Sequence, residues 1–264
     1  MQYEGVLRKM QTEIGKPIQY FLVFEDDFIH MNQLLDKEVE ISFIKYQCLN
    51  CGEDRPIYRQ GCCRNCFFEI PSAGDWIMKP ELSTAHLEQE DRDLEYEKKV
   101  QLQPHVVYLA NSSNVKVGVT RKSQVPTRWI DQGAHEAIIM VEVPNRYLAG
   151  ITEVALKDHV SDKTNWRRML TNTLEDLDLK EWRDRLKEHI PEEVAEYYMS
   201  DAEELELQFP VLQYPSKVKS LNLEKSPQYK GILKGIKGQY LLFEDNTVFN
   251  IRGSEGYFVG LNVQ

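Results

Sequence analysis

Hydrophobic and polar positions divide the chain into β-rich ends and a mixed centre. Both ends carry aromatic and β-branched runs broken by Gly, Asn and Asp, a pattern typical of hairpins and meanders. The ends also resemble each other: residues 3–7 match 229–233, and residues 19–26 match 239–245 with one extra residue in the first copy. We predict two related β-units that pack together so that the chain ends meet. The alternative is two unrelated meanders that share a common pattern.

The centre begins with a predicted hairpin. Two β-branched runs, residues 105–110 and 115–120, lie on either side of an Asn/Ser turn. Because side chains alternate between the faces of a strand, Tyr108 and Lys116 are expected to face the same side. Any chemistry that this hairpin carries should therefore involve both residues.

Helices and a third strand follow the hairpin. Pro126 lies in the first turn of a predicted helix, and residues 135–143 alternate as a strand. Residues 146–160 have helical apolar spacing and place Glu153 on an otherwise apolar turn. A carboxylate in that position is a candidate functional group, although a glutamate on a helix is most often solvated.

The remaining pattern completes an α+β prediction. Breaks at Pro71, Gly74 and Pro80 precede a charged helical run and indicate a linker, and Pro191 opens the second of two later helices. The predicted segments are a β-rich N-terminal unit (1–46), a cysteine-rich ribbon (47–70), an acidic linker or helix (71–100), a small mixed sheet with helices (101–172), a helical segment (173–208) and a β-rich C-terminal unit (209–264).

Composition narrows the class of protein. The chain has 264 residues, of which 42% are hydrophobic and 28% charged, which excludes wholesale disorder and a collagen-like fibre. No stretch approaches the apolar length that a membrane span needs, and the first nine residues carry charges, so we expect a cytoplasmic protein without membrane contact.

The net charge of −10 is unevenly spread. Residues 151–209 carry 8 bases against 16 acids, whereas residues 100–150 carry 5 against 3 and residues 210–264 carry 7 against 4. Because binding to a polyanion requires clustered cations, any such site should lie in the two mildly basic segments.

The cysteines give the most specific local prediction. Cys48 and Cys51 form one C-x2-C pair, Cys63 and Cys66 form another, and eleven residues lie between the pairs. Two such pairs present four thiolates tetrahedrally, as a structural Zn²⁺ site requires, and four protein ligands would leave no position open for catalysis. Cys62 could replace Cys63 by a shift of register, and buried or disulfide-linked cysteines are the other alternative.

The hairpin–helix–strand–helix order of residues 105–172 resembles the core of the GIY-YIG nucleases. Residues 106–108 lie where the first triplet of that family falls, and residues 116–118 where the second falls. Arg128, ten residues after Gly118, is similar to the family's arginine, and Glu153 to its metal-binding glutamate. The fold that this implies is a GIY-YIG-like core with a zinc ribbon and β-rich termini.

The resemblance implies a role for each matched residue. Tyr108 would orient or deprotonate a water, Arg128 would stabilise developing charge, and Glu153 would hold Mg²⁺ or Mn²⁺. Lys116 lies where most members have a second tyrosine, and it could lower the pKa of Tyr108.

The chain departs from the family pattern in the first triplet, residues 106–108, which lacks Gly and Ile, and at two later positions. Gln132 lies where some members have a histidine, and His135 is a candidate substitute. Asn172 is a weak match for the family's asparagine, and Asn165 competes with it.

The implied partner is DNA or RNA. Candidate contacts outside the four catalytic positions are Arg121, Lys122, Trp129, Arg167 and Arg168. The chain as a whole also resembles a bacterial family described as a domain of unknown function, through its cysteine pairs and residues 116–120 and 128–134. Three hypotheses remain open: a metal-dependent nuclease, a non-catalytic nucleic-acid-binding module and a protein-interaction scaffold.

Overall fold

The protein has an α+β fold with 29% helix and 32% strand, in a computed structural model that describes residues 1–25, 27–161 and 164–264. The strands are β1 (Gln2–Val6), β2 (Gln11–Glu13), β3 (Gln19–Val23), β4 (Phe28–His30), β5 (Glu38–Tyr46), β6 (Ile57–Arg59), β7 (Cys62–Cys63), β8 (His105–Asn111), β9 (Val115–Arg121), β10 (Glu136–Val143), β11 (Leu205–Glu206), β12 (Lys219–Ser220), β13 (Gln228–Lys237), β14 (Tyr240–Phe243), β15 (Thr247–Asn250) and β16 (Tyr257–Val263). The α-helices are α1 (Arg64–Glu69), α2 (Leu94–Gln101), α3 (Thr127–Asp131), α4 (Arg146–Lys157), α5 (Trp166–Leu170) and α6 (Leu179–Leu186).

The chain forms two compact units. Unit 1 comprises Met1–Phe68, Leu170–Asn172 and Leu207–Gln264, and unit 2 comprises Glu69–Met169 and Thr173–Glu206. Within the described residues, the helices are all too short or too polar to cross a membrane.

Unit 1 contains a seven-stranded sheet in which the two terminal segments exchange strands. The strand order is β1-β16-β5-β13-β14-β15-β12. β1 of the N-terminal segment pairs with β16, and β13 of the C-terminal segment pairs with β5. As the sequence predicts, both segments are mainly strand and the chain ends meet: the Met1 amino group donates to the Val263 carbonyl at 2.8 Å.

The registers of the two exchanged pairs are equivalent. Tyr3 lies opposite Leu261, and Tyr229 lies opposite Ile41. β5 and β16 then pair with each other at the centre of this four-strand group. The similar residues 3–7 and 229–233 therefore take reciprocal positions in one sheet, whereas β3 and β14, which carry the second similar pair, lie in different sheets.

Unit 2 is built on a four-stranded antiparallel sheet with the order β11-β10-β8-β9. The hairpin, the short helix, the third strand and the long helix all lie where the sequence predicts them. One face of the sheet packs against α4 and α6 through buried aliphatic side chains, among them Val107, Leu109, Ile138 and Leu156. β9 lies at the edge of this sheet, and that edge is where the candidate site forms.

Residues 71–100 differ from the predicted linker. They belong to unit 2, and the Trp76 side chain is buried. A Cβ atom at Gly150 of α4 would collide with the backbone of Pro80 and Glu81, so the lack of a side chain there allows this segment to pack directly on the helix. The proline and glycine breaks give short 3-10 turns that pack, and only Leu94–Gln101 forms an α-helix.

The second predicted helix of residues 173–208 also differs. After α6, residues Glu192–Tyr197 form a 3-10 helix, with Pro191 before its first turn. The Met199 amide then donates to the Met140 carbonyl at 2.8 Å. Because the chain must return to the edge of β10 within a few residues, the tighter helix is favoured over a full α-helix.

Candidate functional site

A cleft at the edge of β9 depends on a glycine opposite a tyrosine. Tyr108 of β8 lies directly opposite Gly118 of β9. The phenol ring occupies the space above that glycine: a Cβ atom at Gly118 would lie 2.6 Å from the Tyr108 hydroxyl oxygen. The missing side chain therefore lets the tyrosine extend across the edge strand, where it lines the cleft as a fully buried residue. Its hydroxyl donates a hydrogen bond to Gln132 Oε1 at 2.8 Å.

Helix α3 supplies the neighbouring residues Arg128 and Trp129, which have different surroundings. Arg128 lines the cleft. Trp129 is buried, and its ring lies against Tyr108 with ring centroids 5.7 Å apart. The prediction that Trp129 contacts nucleic acid is therefore wrong in this structure. The large apolar indole is better accommodated behind the tyrosine, where it fixes the position of the ring.

Helix α4 places four positions beside the cleft on one of its faces. Asn145 caps the helix by accepting from the Leu148 amide at 3.0 Å. Residues 146, 150, 153 and 157 then follow at helical spacing, so that Arg146, Glu153 and Lys157 all reach the cleft. Lys157 Nζ lies 3.6 Å from Glu153 Oε2.

The structure thus brings Tyr108, Arg128 and Glu153 together, as the resemblance predicts. They line a cleft of about 250 Å³. Its described lining consists of Ile77, Met78, Pro80, Tyr108, Val117, Gly118, Val119, Arg128, Gln132, Arg146, Glu153 and Lys157. Among these described residues Glu153 is the only carboxylate, and it lies beside three cationic side chains.

Burial dominates the electrostatics of the tyrosine. It raises the pKa of the Tyr108 phenol and the Glu153 charge adds to this increase, whereas the positive charge of Arg128 opposes it. The net direction is upward, so Tyr108 is a neutral hydrogen-bonding group at neutral pH. It is not a ready base in the protein alone.

Arg146 is a cleft residue that the sequence analysis missed. Its Nε donates to the Trp76 carbonyl at 3.2 Å and its Nη2 to the Ile77 carbonyl at 2.8 Å. Burial lowers the pKa of its guanidinium to about 10, although the Glu153 carboxylate favours the charged form. The sequence offered one indication of it. The helix dipole disfavours a cation in the first turn of a helix, so an arginine at that position suggests a specific interaction elsewhere.

Lys116 occupies a different place from the one predicted. It faces the same side of the hairpin as Tyr108, but its side chain is buried and Nζ donates to Thr164 Oγ1 at 2.7 Å. It is not among the described residues that line the cleft. The cation that acts on the Tyr108 phenol is Arg128.

The candidates for the missing histidine and asparagine lie elsewhere. His135 is exposed at the start of β10, whereas Gln132 contacts Tyr108. Asn165 Oδ1 accepts from the Arg168 amide at 3.2 Å at the start of α5. Asn172 accepts from Lys237 Nζ at 2.9 Å within unit 1. In the described structure, none of the three lines the cleft.

The other candidate nucleic-acid contacts are surface cations with local partners. Lys122 pairs with Glu142 at 2.7 Å, and Arg168 pairs with Glu175 at 3.2 Å. Arg167 lies over the ring of Trp166 at 4.3 Å. Arg121 ends β9 and is close enough to Arg146 for its charge to lower the pKa of that residue. Of these four, Arg121 is the one with an electrostatic link to the cleft.

A second candidate site lies in unit 1. The sulfur atoms of Cys48, Cys51, Cys63 and Cys66 all lie within 4.8 Å of one another, which is compatible with a bound metal ion such as zinc. The Cys63 amide donates to Cys48 Sγ at 3.2 Å. Burial acts to raise the pKa of the Cys48 thiol, but hydrogen bonds from the backbone of Cys51, Cys63 and Asn50 lower it to about 6. The turn thus stabilises a thiolate, the form that binds metal.

The structure favours Cys63 over Cys62 as the fourth ligand. Cys62 is buried but is not part of the four-sulfur group. Burial, with the charges of the neighbouring sulfurs, raises the pKa of the Cys62 thiol to about 11. It therefore remains a neutral thiol beside the site.

Comparison with known proteins shows the family and nothing further. No curated protein and no solved structure matches this chain. A family model described as "Protein of unknown function (DUF2797)" matches residues 36–259, which include both the cysteine group and the cleft. The chain belongs to this DUF2797 family.

Proposed function

We propose that the protein is a metal-dependent nuclease, which hydrolyses phosphodiester bonds of DNA or RNA in the cleft at the edge of β9. The observation that carries the proposal is the meeting of Tyr108, Arg128 and Glu153 around one cleft. These residues come from a strand, a short helix and a long helix, and ordinary packing gives no reason for three polar groups to converge there. A hydrolase needs a positioned water, a cation for the phosphate and a metal ligand within a few ångströms of one another.

The hydrogen bond to Gln132 determines what Tyr108 can do. The hydroxyl donates its proton to Gln132 Oε1 and also interacts with the Arg128 side chain, so one lone pair would be left to accept a hydrogen bond from a water in the cleft. The neutral phenol therefore orients the water for attack. The Trp129 ring behind it holds this geometry.

The cations of the cleft are suited to a phosphate group. The Arg128 guanidinium would contact the non-bridging oxygens and stabilise the charge that develops on them. Arg146, held by two backbone carbonyls, adds a second positive charge whose position is fixed before the substrate binds. Fixed charges of this kind need no reorganisation during the reaction.

The donor set fits a magnesium site that is completed by substrate. Mg²⁺ usually retains several waters and binds through one or two carboxylates together with substrate phosphates, and Glu153 is the carboxylate that would hold it. When bound, the ion would neutralise phosphate charge and lower the pKa of a ligated water. Glu153 is then the residue without which the cleft has no metal ligand.

Substitution of Glu153 tests this proposal. Full-length protein would be incubated with labelled single- and double-stranded DNA and RNA in Mg²⁺ or Mn²⁺. Wild type should cleave at least one substrate, Glu153→Gln should abolish cleavage without altering thermal stability, and Arg128→Ala should lose about 10²-fold or more. Glu142→Gln, which changes a carboxylate of β10 that pairs with Lys122, is the matched control and should retain activity. Absence of metal-dependent cleavage by the wild type, or full activity in Glu153→Gln, would overturn the proposal.

One observation favours a second function, that of a non-catalytic nucleic-acid-binding protein. Three cations surround a single carboxylate, and Lys157 already lies 3.6 Å from it. Such a cleft would bind a phosphate group without a metal. In that case Glu153→Gln, which removes a negative charge, would strengthen binding of nucleic acid and no variant would cleave.

For the cysteine group we propose a structural Zn²⁺ ion. Four thiolates in two C-x2-C turns match the preference of this metal and leave no open position for substrate. In a nuclease the ion would hold the shape of the surrounding segment.

A further inference from the structure

An aromatic surface lies beside the cysteine group, formed by Tyr58 of β6 with Phe67 and Phe68 of α1. The centroid of the Tyr58 ring lies 5.3 Å from that of Phe67 and 5.8 Å from that of Phe68. Phe68 is 55% exposed and Tyr58 45% exposed. Large aromatic rings that gather at a surface without being covered are typical of interaction sites.

Arginines flank these rings. Arg59 lies over the Tyr58 ring, with its guanidinium carbon 5.4 Å from the centroid, and Arg55 and Arg64 are exposed nearby in the sequence. Residues 55–68 contain these three arginines and no acidic residue, and the nearest acidic residues in the sequence are Glu53, Asp54 and Glu69 on either side of this range. None of the three arginines forms an ion pair with another described residue. The surface therefore combines the exposed rings of Tyr58 and Phe68 with three exposed arginines that form no ion pair with a described residue.

We propose that the surface of Tyr58, Phe67, Phe68 and their flanking arginines binds single-stranded nucleic acid. Unpaired bases stack on exposed aromatic rings, and arginines contact the phosphates between them. A duplex fits less well, because its base faces are already stacked inside the helix. An acidic protein partner could also match the charge, but it would not require flat aromatic faces.

This inference deepens the proposed function by naming the class of substrate, and its test is independent of cleavage. Full-length Glu153→Gln protein, with its metal retained, would be titrated into fluorescein-labelled oligothymidine of about 12 nucleotides, the range of one compact binding surface. Fluorescence anisotropy would report the dissociation constant. The same sequence as a duplex should bind at least tenfold more weakly.

Variants of one ring separate stacking from simple apolar contact. Phe68→Leu retains an apolar side chain but loses the aromatic face, and should weaken binding about tenfold, whereas Phe68→Tyr should preserve it. Phe28→Ala is the matched control, since Phe28 is also exposed and pairs with Phe21, but it lies beside Asp27. It should leave binding unchanged. Equal metal content and melting temperature would show that each variant is folded.

Salt dependence tests the arginines. Arg59→Ala should lower both the affinity and the slope of log K against log salt, because fewer counterions are released on binding. The proposal is overturned if oligothymidine does not bind, if Phe68→Leu binds as tightly as Phe68→Tyr, or if Phe28→Ala weakens binding equally. Binding through these rings without any cleavage by wild type would instead refute the nuclease proposal alone.

Discussion

The cysteine group and the β9 cleft assemble their functional atoms in opposite ways. The four sulfurs come from two tight turns between Cys48 and Cys66, so short-range spacing determines most of the geometry. The cleft takes Tyr108, Arg128 and Glu153 from three elements of unit 2. A metal site built from local turns tolerates many substitutions elsewhere in the chain. A cleft built from distant elements depends on how the whole unit packs, so substitutions in many parts of the unit can disrupt it.

The largest expected effect comes from removing one sulfur. Cys48→Ser should eliminate bound metal and lower the melting temperature, because structural Zn²⁺ contributes on the order of 10 kcal/mol to the folding of small zinc domains. Metal analysis and thermal denaturation measure both. Cys62→Ala, which removes the neighbouring thiol outside the four-sulfur group, should retain about one equivalent of metal. Loss of metal from Cys62→Ala alone would show that the ligand register is shifted.

Acid pH should destabilise unit 2, because it favours protonation of His105. Burial lowers the pKa of this histidine to about 4, and its Nδ1 is hydrogen-bonded to the Gln103 carbonyl at 2.7 Å. The folded state favours the neutral form of His105. The stability that depends on this neutral form is fully present above the unfolded pKa of about 6.5, and it is lost as pH falls through about 4. The loss is about 3 kcal/mol.

Chemical denaturation between pH 7 and pH 4 tests the histidine. His105→Gln should show a shallower dependence of unfolding free energy on pH than wild type. Identical pH dependence in the two proteins would mean that another group controls acid stability. Comparison of the variants, and not of wild type alone, is needed because acid also protonates zinc-bound thiolates.

A smaller loss of stability is expected when a side chain is added at Gly118, where the Tyr108 ring crosses β9. Gly118→Ala would place a Cβ atom 2.6 Å from the Tyr108 hydroxyl and 2.7 Å from its Cζ. We expect a destabilisation of about 1–3 kcal/mol, the usual cost of overpacking, together with loss of any cleavage activity as the ring moves. The measurement is a double-mutant cycle with Tyr108→Leu, in which the second substitution should relieve part of the cost of the first. Strictly additive costs would show that the two residues do not share this space.

The sequence by itself determined the elements and the local chemistry. Alternation of residues places the β8–β9 hairpin, helical spacing places α4, and cysteine spacing identifies the four-sulfur group, because each pattern depends on neighbours only a few residues apart. The similarity of the two chain ends even indicated their packing. Secondary structure and local turns depend mainly on propensity and periodicity, which can be read from the sequence of neighbouring residues.

Tertiary structure decided which side chains enter the cleft. Trp129 was predicted at a surface and is buried against Tyr108, whereas Arg146 was overlooked and lines the cleft. Residues 71–82, predicted as part of a linker, supply the carbonyls that hold Arg146. Lys116 has the predicted facing, but its ammonium donates to Thr164. Periodicity gives the face of an element, while the partner of a long polar side chain depends on segments brought together only when the unit packs.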